Sequence, residues 1–236
     1  MLNYNDALNL YSKVEDLLGV KEVAPKLYSY YFEILKDIKF DSLLDIGCGS
    51  GDFLYTLDSI NICSRLLGID KSDLMVEATK KRELDAKNIE LKDINEKFDI
   101  AVATFDMVNY LKKDELNNFF RDLNKVIKKD GYFIFDVNTL YGLSELAIGN
   151  FIAQDENRFV TIESFYEDGI YESFFTLFQK EKNECYKKES QQINQYYYDL
   201  NYFKGLKNWK IEKYLPISLY ETDDYDKNII VLKNCI

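Results

Sequence analysis

The chain's 236 residues carry 41 acidic and 30 basic side chains, a formal net charge of −11 and no histidine, on a composition that is 47% hydrophobic. This make-up fits one soluble α/β domain with an elaboration and excludes an extensively disordered chain. Its acidic field disfavours nucleic acid as a partner, and the absent histidine removes the commonest general base and any histidine-dependent metal site.

At the N-terminus, MLNYNDALNLY lacks the basic segment and apolar core of a secretion signal, and no later apolar run approaches the roughly 18 residues needed to cross a bilayer. Cys48, Cys63, Cys185 and Cys235 stand at no metal-ligand spacing. The expectation is a cytoplasmic protein with no metal, no disulfides and no membrane contact. Over residues 1–40, Leu8, Tyr11 and Val14 to Leu18, then Tyr28, Tyr31, Ile34, Leu35 and Ile38, recur at helical spacing and predict two helices. Their tyrosines either pack the core or belong to an N-terminal helical lid.

The stretch LLDIGCGSGDF, residues 43–53, organises the rest of the chain. Leu43, Leu44 and Ile46 read as a buried strand that breaks into Gly47, Gly49 and Gly51 behind the acid Asp45. Alternate glycines let a turn with positive φ approach a ligand closely, and the helix predicted from Asp52 aims its free N–H groups at the same place. SRLLGID at 64–70 predicts a second strand ending in Asp70, about where a nucleoside-binding βαβ unit presents a carboxylate to ribose hydroxyls. Asp70 is also a common kind of helix-capping residue, and Ser72 is placed to cap the helix over DLMVEATKKREL.

NIELKD at 88–93 predicts a third strand ending in Asp93, FDIAVATFD at 98–106 a fourth and YFIFDVN at 132–138 a fifth. An amphipathic helix from Lys113 to Lys128 and a KKDG turn separate the last two. Strands alternating with helices imply a parallel sheet with ligands at the C-terminal strand ends, where Asp45, Asp70, Asp93, Asp106 and Asn138 would gather. RFVTIESFYED, IYESFFTLFQKEKN and CYKKESQQINQYYYDLNYF then predict an antiparallel β insert over 151–208. WKIEKYLPI and NIIVLKN predict two strands that return to the main sheet. The expected fold is α/β: a Rossmann-like, seven-stranded, mostly parallel sheet with helices on both faces and an antiparallel β insert after strand five. Residues 1–150 and 209–236 would form its main domain, with 1–40 as the lid.

These motifs resemble those of the class I S-adenosylmethionine-dependent methyltransferases. Asp45-Ile-Gly47-Cys-Gly49-Ser-Gly51 matches the family's first motif in full, and GIDKSDLMVEA the second. KDI at 92–94, FDIAVATFDMVNYL at 98–111 and KKDGYFIFDVNT at 128–139 look like the later motifs in the right order. The insert is loosely similar to that of the small-molecule branch, which includes sugar N-methyltransferases and glycine N-methyltransferase-like enzymes. A dinucleotide-binding dehydrogenase is the main competitor, but its fingerprint needs a glycine where this chain has Asp52, and an acid beside a pyrophosphate is unfavourable.

The resemblance implies S-adenosylmethionine as methyl donor and S-adenosylhomocysteine as product. It implies that Gly47, Cys48, Gly49 and Gly51 make room for the methionyl and ribose portions, with Asp45 near the methionyl ammonium. It further implies Asp70 on the ribose hydroxyls, Lys71 and Met75 beside the adenine, Asp93 and the Ile94 backbone on the adenine edge, and Thr104 and Phe105 on the methionyl side.

Methyl transfer from a sulfonium is an in-line displacement that needs mainly a near-attack geometry. If the acceptor must lose a proton, this histidine-free chain offers Asp106, Tyr110 and Asn138 beyond strands four and five, which otherwise serve as caps and turn formers. The insert is a candidate acceptor cover, its QYYYDLNY segment offering aromatic faces, or simply packed sheet. Three functions stay open at this point: methylation of a small molecule on N or O, methylation of protein or RNA, and donor binding as a non-catalytic partner protein. The expected partner is a small-molecule acceptor, with no nucleic acid, and the protein a monomer or homodimer.

Overall fold

The buried run before the glycine turn is β1 (Ser42–Ile46), with all five residues buried. In the computed structural model, which describes residues 4–182 and 185–236, β1 pairs in parallel with β2 (Arg65–Ile69) on one side and β4 (Phe98–Ala103) on the other. β3 (Ala86–Lys87) extends the edge beyond β2, and β5 (Ile127–Asn138) follows β4 in parallel. β10 (Trp209–Ile217) and β11 (Lys227–Asn234) complete the sheet antiparallel, giving the order β10-β11-β5-β4-β1-β2-β3. This is the expected seven-stranded Rossmann-like sheet.

Both faces of the sheet are covered, which is why the central strands read as continuous apolar runs. On one face α2 (Val20–Leu35) and α3 (Asp52–Ser59) bury Leu27, Tyr31, Ile34, Phe53 and Leu57 against Leu43, Ile100 and Val102. On the other, α5 (Lys113–Val126) buries Leu116, Phe120 and Leu123 against Phe133 and Phe135. α4 (Asp73–Lys80) is capped by Ser72, whose hydroxyl accepts from the Met75 N–H, as its position before the helix predicts.

Three segments differ from the sequence expectation. NIELKD does not form the third strand: only Ala86 and Lys87 pair, and Leu91–Asp93 make a short 3-10 turn. The reason is local. The Asn88 side-chain amide donates to the carbonyls of Asp70 and Lys71 and draws the chain out of the ladder. The KKDG turn lies within β5 as an excursion, Phe98 pairing with Ile127 and Ile100 with Tyr132, with Asp130 at φ 63°. The end of the tyrosine-rich segment is α6 (Leu200–Lys204), because the Asp199 carboxylate accepts from the Tyr202 N–H and starts a helix where strand was expected.

The insert is a four-stranded antiparallel sheet, β6 (Gly149–Gln154), β7 (Arg158–Glu167), β8 (Ile170–Lys180) and β9 (Tyr186–Tyr196). The first three residues of the expected lid and Asn183 of the expected strand lie outside the described residues. The insert's inner face has its own core. Val160, Ile162, Phe175, Leu177 and Ile193 close over Ala7, Leu10 and Val14, which belong to or follow α1 (Tyr4–Ser12). α1 is thus held by the insert, and it reaches back to the main sheet through Ser72, whose hydroxyl donates to Asn9 (2.8 Å). No helix among the described residues is long and apolar enough to cross a membrane.

Phe175→Ala empties the centre of this second core, where the Phe175 ring meets Tyr11 edge-on at 6.2 Å. The expected cost is about 3–5 kcal/mol. Hydrogen exchange should show α1 losing protection while β1 and β4 keep theirs.

Candidate functional site

The turn after β1 is built by three glycines with positive φ, Gly47 (75°), Gly49 (53°) and Gly51 (79°). Tertiary packing excludes side chains at two of them: a Cβ on Gly47 would lie 2.8 Å from Met107, and one on Gly51 2.7 Å from Thr79. At Gly49 a Cβ would meet nothing within 4 Å. The turn is pinned from β2, the Ile69 carbonyl accepting from the N–H groups of Gly47 (2.8 Å) and Cys48 (3.1 Å). Asp70 holds it from the other side, one carboxylate oxygen accepting from the Gly49 N–H (3.0 Å) and the second from the Ser72 N–H (2.8 Å). Burial pushes the Asp70 carboxyl above its ordinary pKa although these N–H groups favour its charge.

A cavity of about 440 Å³ opens at this turn. Gly47, Asp70, Lys71, Met75, Thr104 and Phe105 of the expected donor-binding residues line it. A side chamber of about 90 Å³ adjoins it, bounded by Cys48, Ser50, Asp52, Lys21 and Tyr28. Glu15, Val20, Gly47, Thr104 and Phe105 border both spaces and mark their shared boundary, the neck. Asp93 stands apart: it is exposed and lines a neighbouring cavity of about 570 Å³ with Lys71, Glu90 and Tyr196. Ile94 is buried in the core.

Asp45 lies fully buried in β1, and neither of its carboxylate oxygens has a hydrogen-bond partner among the described residues. Burial, reinforced by the charge of Asp70, pushes its carboxyl up to about 8. Asp45 lines none of these cavities itself, but its neighbours Ile46 and Gly47 border the larger one, and Asp52, paired with Arg82 (2.6 Å), borders the smaller. A buried carboxyl without a partner behind this wall suits a cationic ligand better than a phosphate. The residues present therefore fit S-adenosylmethionine, a nucleoside donor with a sulfonium and an ammonium and no phosphate.

A further cavity of about 520 Å³ lies between the strand ends and the insert. It meets the cavity at the glycine turn along Tyr11, Val20, Phe105 and Tyr110. The three candidate catalytic residues, Asp106, Tyr110 and Asn138, all line it. They are joined by a network that sequence reading did not reveal. Lys227, buried at the start of β11, is ion-paired with Asp106 and with Asp136 (3.0 Å). The Tyr31 hydroxyl lies 2.8 Å from Asp136, and Asp136 also accepts from the Asp106 N–H (2.9 Å).

From the insert, the Gln195 amide donates to Asp106, and its carbonyl accepts from Asn138 (3.1 Å). Burial works against the Lys227 charge, but Asp106 and Asp136 more than offset it and hold its pKa above the ordinary lysine range. Burial, with the charge of Asp106 beside it, raises the Tyr110 hydroxyl above its ordinary pKa, so Tyr110 serves better as a hydrogen-bond donor than as a base. Lys227 carried no sequence signal beyond its position ahead of an apolar strand. Gln195, in a polar tract of β9, carried none.

Residues 44–135 match the family model of the methyltransferase domain. An uncharacterised protein of Methanocaldococcus jannaschii, MJ1252, is 30% identical over 141 residues, which is 53% of this chain and 54% of the relative. The match thus takes in about half the length of the curated relatives. The structure of an S-adenosylmethionine-dependent methyltransferase from Clostridium acetobutylicum superposes with a TM-score of 0.75 at 23% identity, covering 98% of each chain. That of CalS10, an amino pentose methyltransferase from Micromonospora echinaspora solved with S-adenosylmethionine bound, gives a TM-score of 0.65 at 14% identity, over 91% of this chain and 96% of that one. At these identities the two structures establish the fold.

The ligand-free site carries a pH signature. The Asp45 carboxyl, raised from 3.8 to about 8, keeps a proton in the folded protein that the unfolded chain releases at lower pH. Stability from this group is therefore lost as pH rises through that window, and Glu15, raised to about 7, acts in the same direction. The thermal midpoint of the ligand-free protein should fall between about pH 5 and about pH 8. Asp45→Asn should flatten that slope in differential scanning fluorimetry.

Proposed function

We propose that this chain, which carries a methyltransferase domain on the class I S-adenosylmethionine-dependent fold, transfers a methyl group from that donor to a nitrogen or oxygen of a small molecule. The observation that carries the reading is the meeting of two cavities along Tyr11, Val20, Phe105 and Tyr110. One is bounded by the glycine turn and Asp70, the other by Asp106 and the insert. S-adenosylmethionine, when bound, supplies a methyl group activated on a sulfonium.

The protein's own contribution is placement. Asp70 has acceptor capacity left beyond its two backbone bonds, enough to receive ribose hydroxyls. Gly47, Thr104 and Phe105 shape the neck, and Lys21 borders the small chamber where a methionyl carboxylate would need a cation. On the acceptor side, Asp106 is paired with Lys227 and oriented by Gln195, which places a carboxylate where it can hold an ammonium or receive the proton of an amine. This favours an amine acceptor, in keeping with the amino pentose methyltransferase that shares the fold. The insert closes the acceptor space with Tyr171, Ser173 and Gln195, a wall of hydroxyls and an amide suited to a polar small molecule.

Titration calorimetry with S-adenosylmethionine tests the donor half: the wild type should bind, and Asp70→Ala should bind about tenfold more weakly or worse. Full affinity in the variant would remove Asp70 from the site. For the acceptor half, thioether product formation is followed over a panel of amines and alcohols that includes amino sugars. Asp106→Asn should lower turnover about a hundredfold while donor affinity stays unchanged.

A further inference from the structure

Glu15 begins the 3-10 turn Glu15–Leu17 between α1 and α2, and both sides of it are tied to the insert. The Lys13 ammonium pairs with Glu189 of β9 (2.7 Å), and the Lys13 carbonyl accepts from Arg158 of β7 (2.6 Å). The Asp16 carboxylate takes the same guanidinium on both oxygens (2.9 and 2.7 Å). Between these anchors the Glu15 side chain is half-buried, and no hydrogen bond or ion pair engages its carboxylate among the described residues. It borders both the 440 Å³ cavity and the 90 Å³ chamber, at their neck.

Two adjoining spaces of about 440 and 90 Å³ suit a ligand of two unequal parts. A donor made of a nucleoside and an amino-acid tail, with its nucleoside in the larger space and its tail in the smaller, places the atom that joins them at the neck. In S-adenosylmethionine that atom is the sulfur. We infer that Glu15 reads the charge on this sulfur, a cation while the methyl group is attached and a neutral thioether once it has left. Glu15 is then a specificity-determining residue that favours the loaded donor over the spent product. The inference rests on S-adenosylmethionine being the donor and adds to that reading a residue that lies outside the glycine and Asp70 motifs.

The surroundings make Glu15 responsive. Burial pushes its carboxyl up to about 7, Lys21 of α2 works against this, and the charges of Asp52, Asp16 and Asp70 add to it. Tyr28 of α2 lies within its field and stays neutral, and Asp45 of β1 is the other raised carboxyl of the same region. A bound cation favours the ionised form of Glu15, so donor binding near neutral pH releases a proton that product binding does not.

The test is calorimetry with S-adenosylmethionine and with S-adenosylhomocysteine on the full chain, in buffers of different ionisation heat, at about pH 6, 7 and 8. Wild type should favour the donor more strongly as pH rises, with a proton released on donor binding near pH 7. Glu15→Gln should lower the ratio of donor to product affinity about tenfold at pH 8 and flatten its pH dependence, because Asp45, near the ammonium that both compounds carry, cancels in the ratio. Unchanged ratios in a Glu15→Gln variant that still binds both compounds would overturn the inference. So would a wild-type ratio that is the same at pH 6 and pH 8, a measurement that needs no variant to fold. Failure of the wild type to bind either compound would overturn the donor reading itself, a separate and distinguishable result.

Discussion

At the C-terminal ends of β4 and β5 one buried lysine, Lys227, lies against two carboxylates and holds them in place. Asp136 is fully buried and Asp106 mostly so, and the Lys227 ammonium lies between them. A buried ion pair of this kind is weak grounds for stability, since desolvation offsets most of its attraction, but removing one partner leaves a stranded charge that costs about 3–5 kcal/mol. Its effect here is to fix geometry. Phe105 and Asp106 both take left-handed backbone conformations, φ 54° and 52°, which cost non-glycine residues roughly 1 kcal/mol or more each and persist only where the surroundings over-determine them. The Asp136 bond to the Asp106 N–H and the Lys227 ion pair are what over-determine them.

The same cluster joins parts of the chain that are distant in sequence. Tyr31 brings in α2, Lys227 the last strand and Gln195 the insert. The insert is consequently more than an addition to the edge of a nucleoside-binding sheet. Its inner face is half of the core that holds α1, its Arg158 and Glu189 fix the turn after α1, and its Gln195 orients an acid of the site. α1 and the insert pack as one unit that borders two cavities.

What was legible in the sequence was what local rules decide. The glycine turn, Ser72 as a cap, Asp70 at a strand end and the apolar strands β1, β4 and β5 follow from backbone freedom, capping and burial on two faces. Where a side chain competed with the ladder, the pattern misled. Asn88 turned an apparent third strand into a loop, and Asp199 turned the end of a tyrosine-rich strand into a helix. The alternation of β7 and β8 predicted a sheet, but a period of two says only that one face is buried, and not that its cover is α1.

Two charged residues of the site, Lys227 and Glu15, are ones sequence reading passed over. They are a lysine and a glutamate whose neighbours in the chain would suit a solvated surface equally well. The sequence by itself determined the architecture, the glycine turn and the kind of ligand that turn can hold, because these depend on torsions and hydrophobic periods within a few residues. Only the tertiary structure decided which carboxylates are paired, which are left unpaired, and where two cavities meet. Electrostatics acts through space, and the charged groups that pair with Asp106 or lie around Glu15 come largely from elements brought together only by the completed fold.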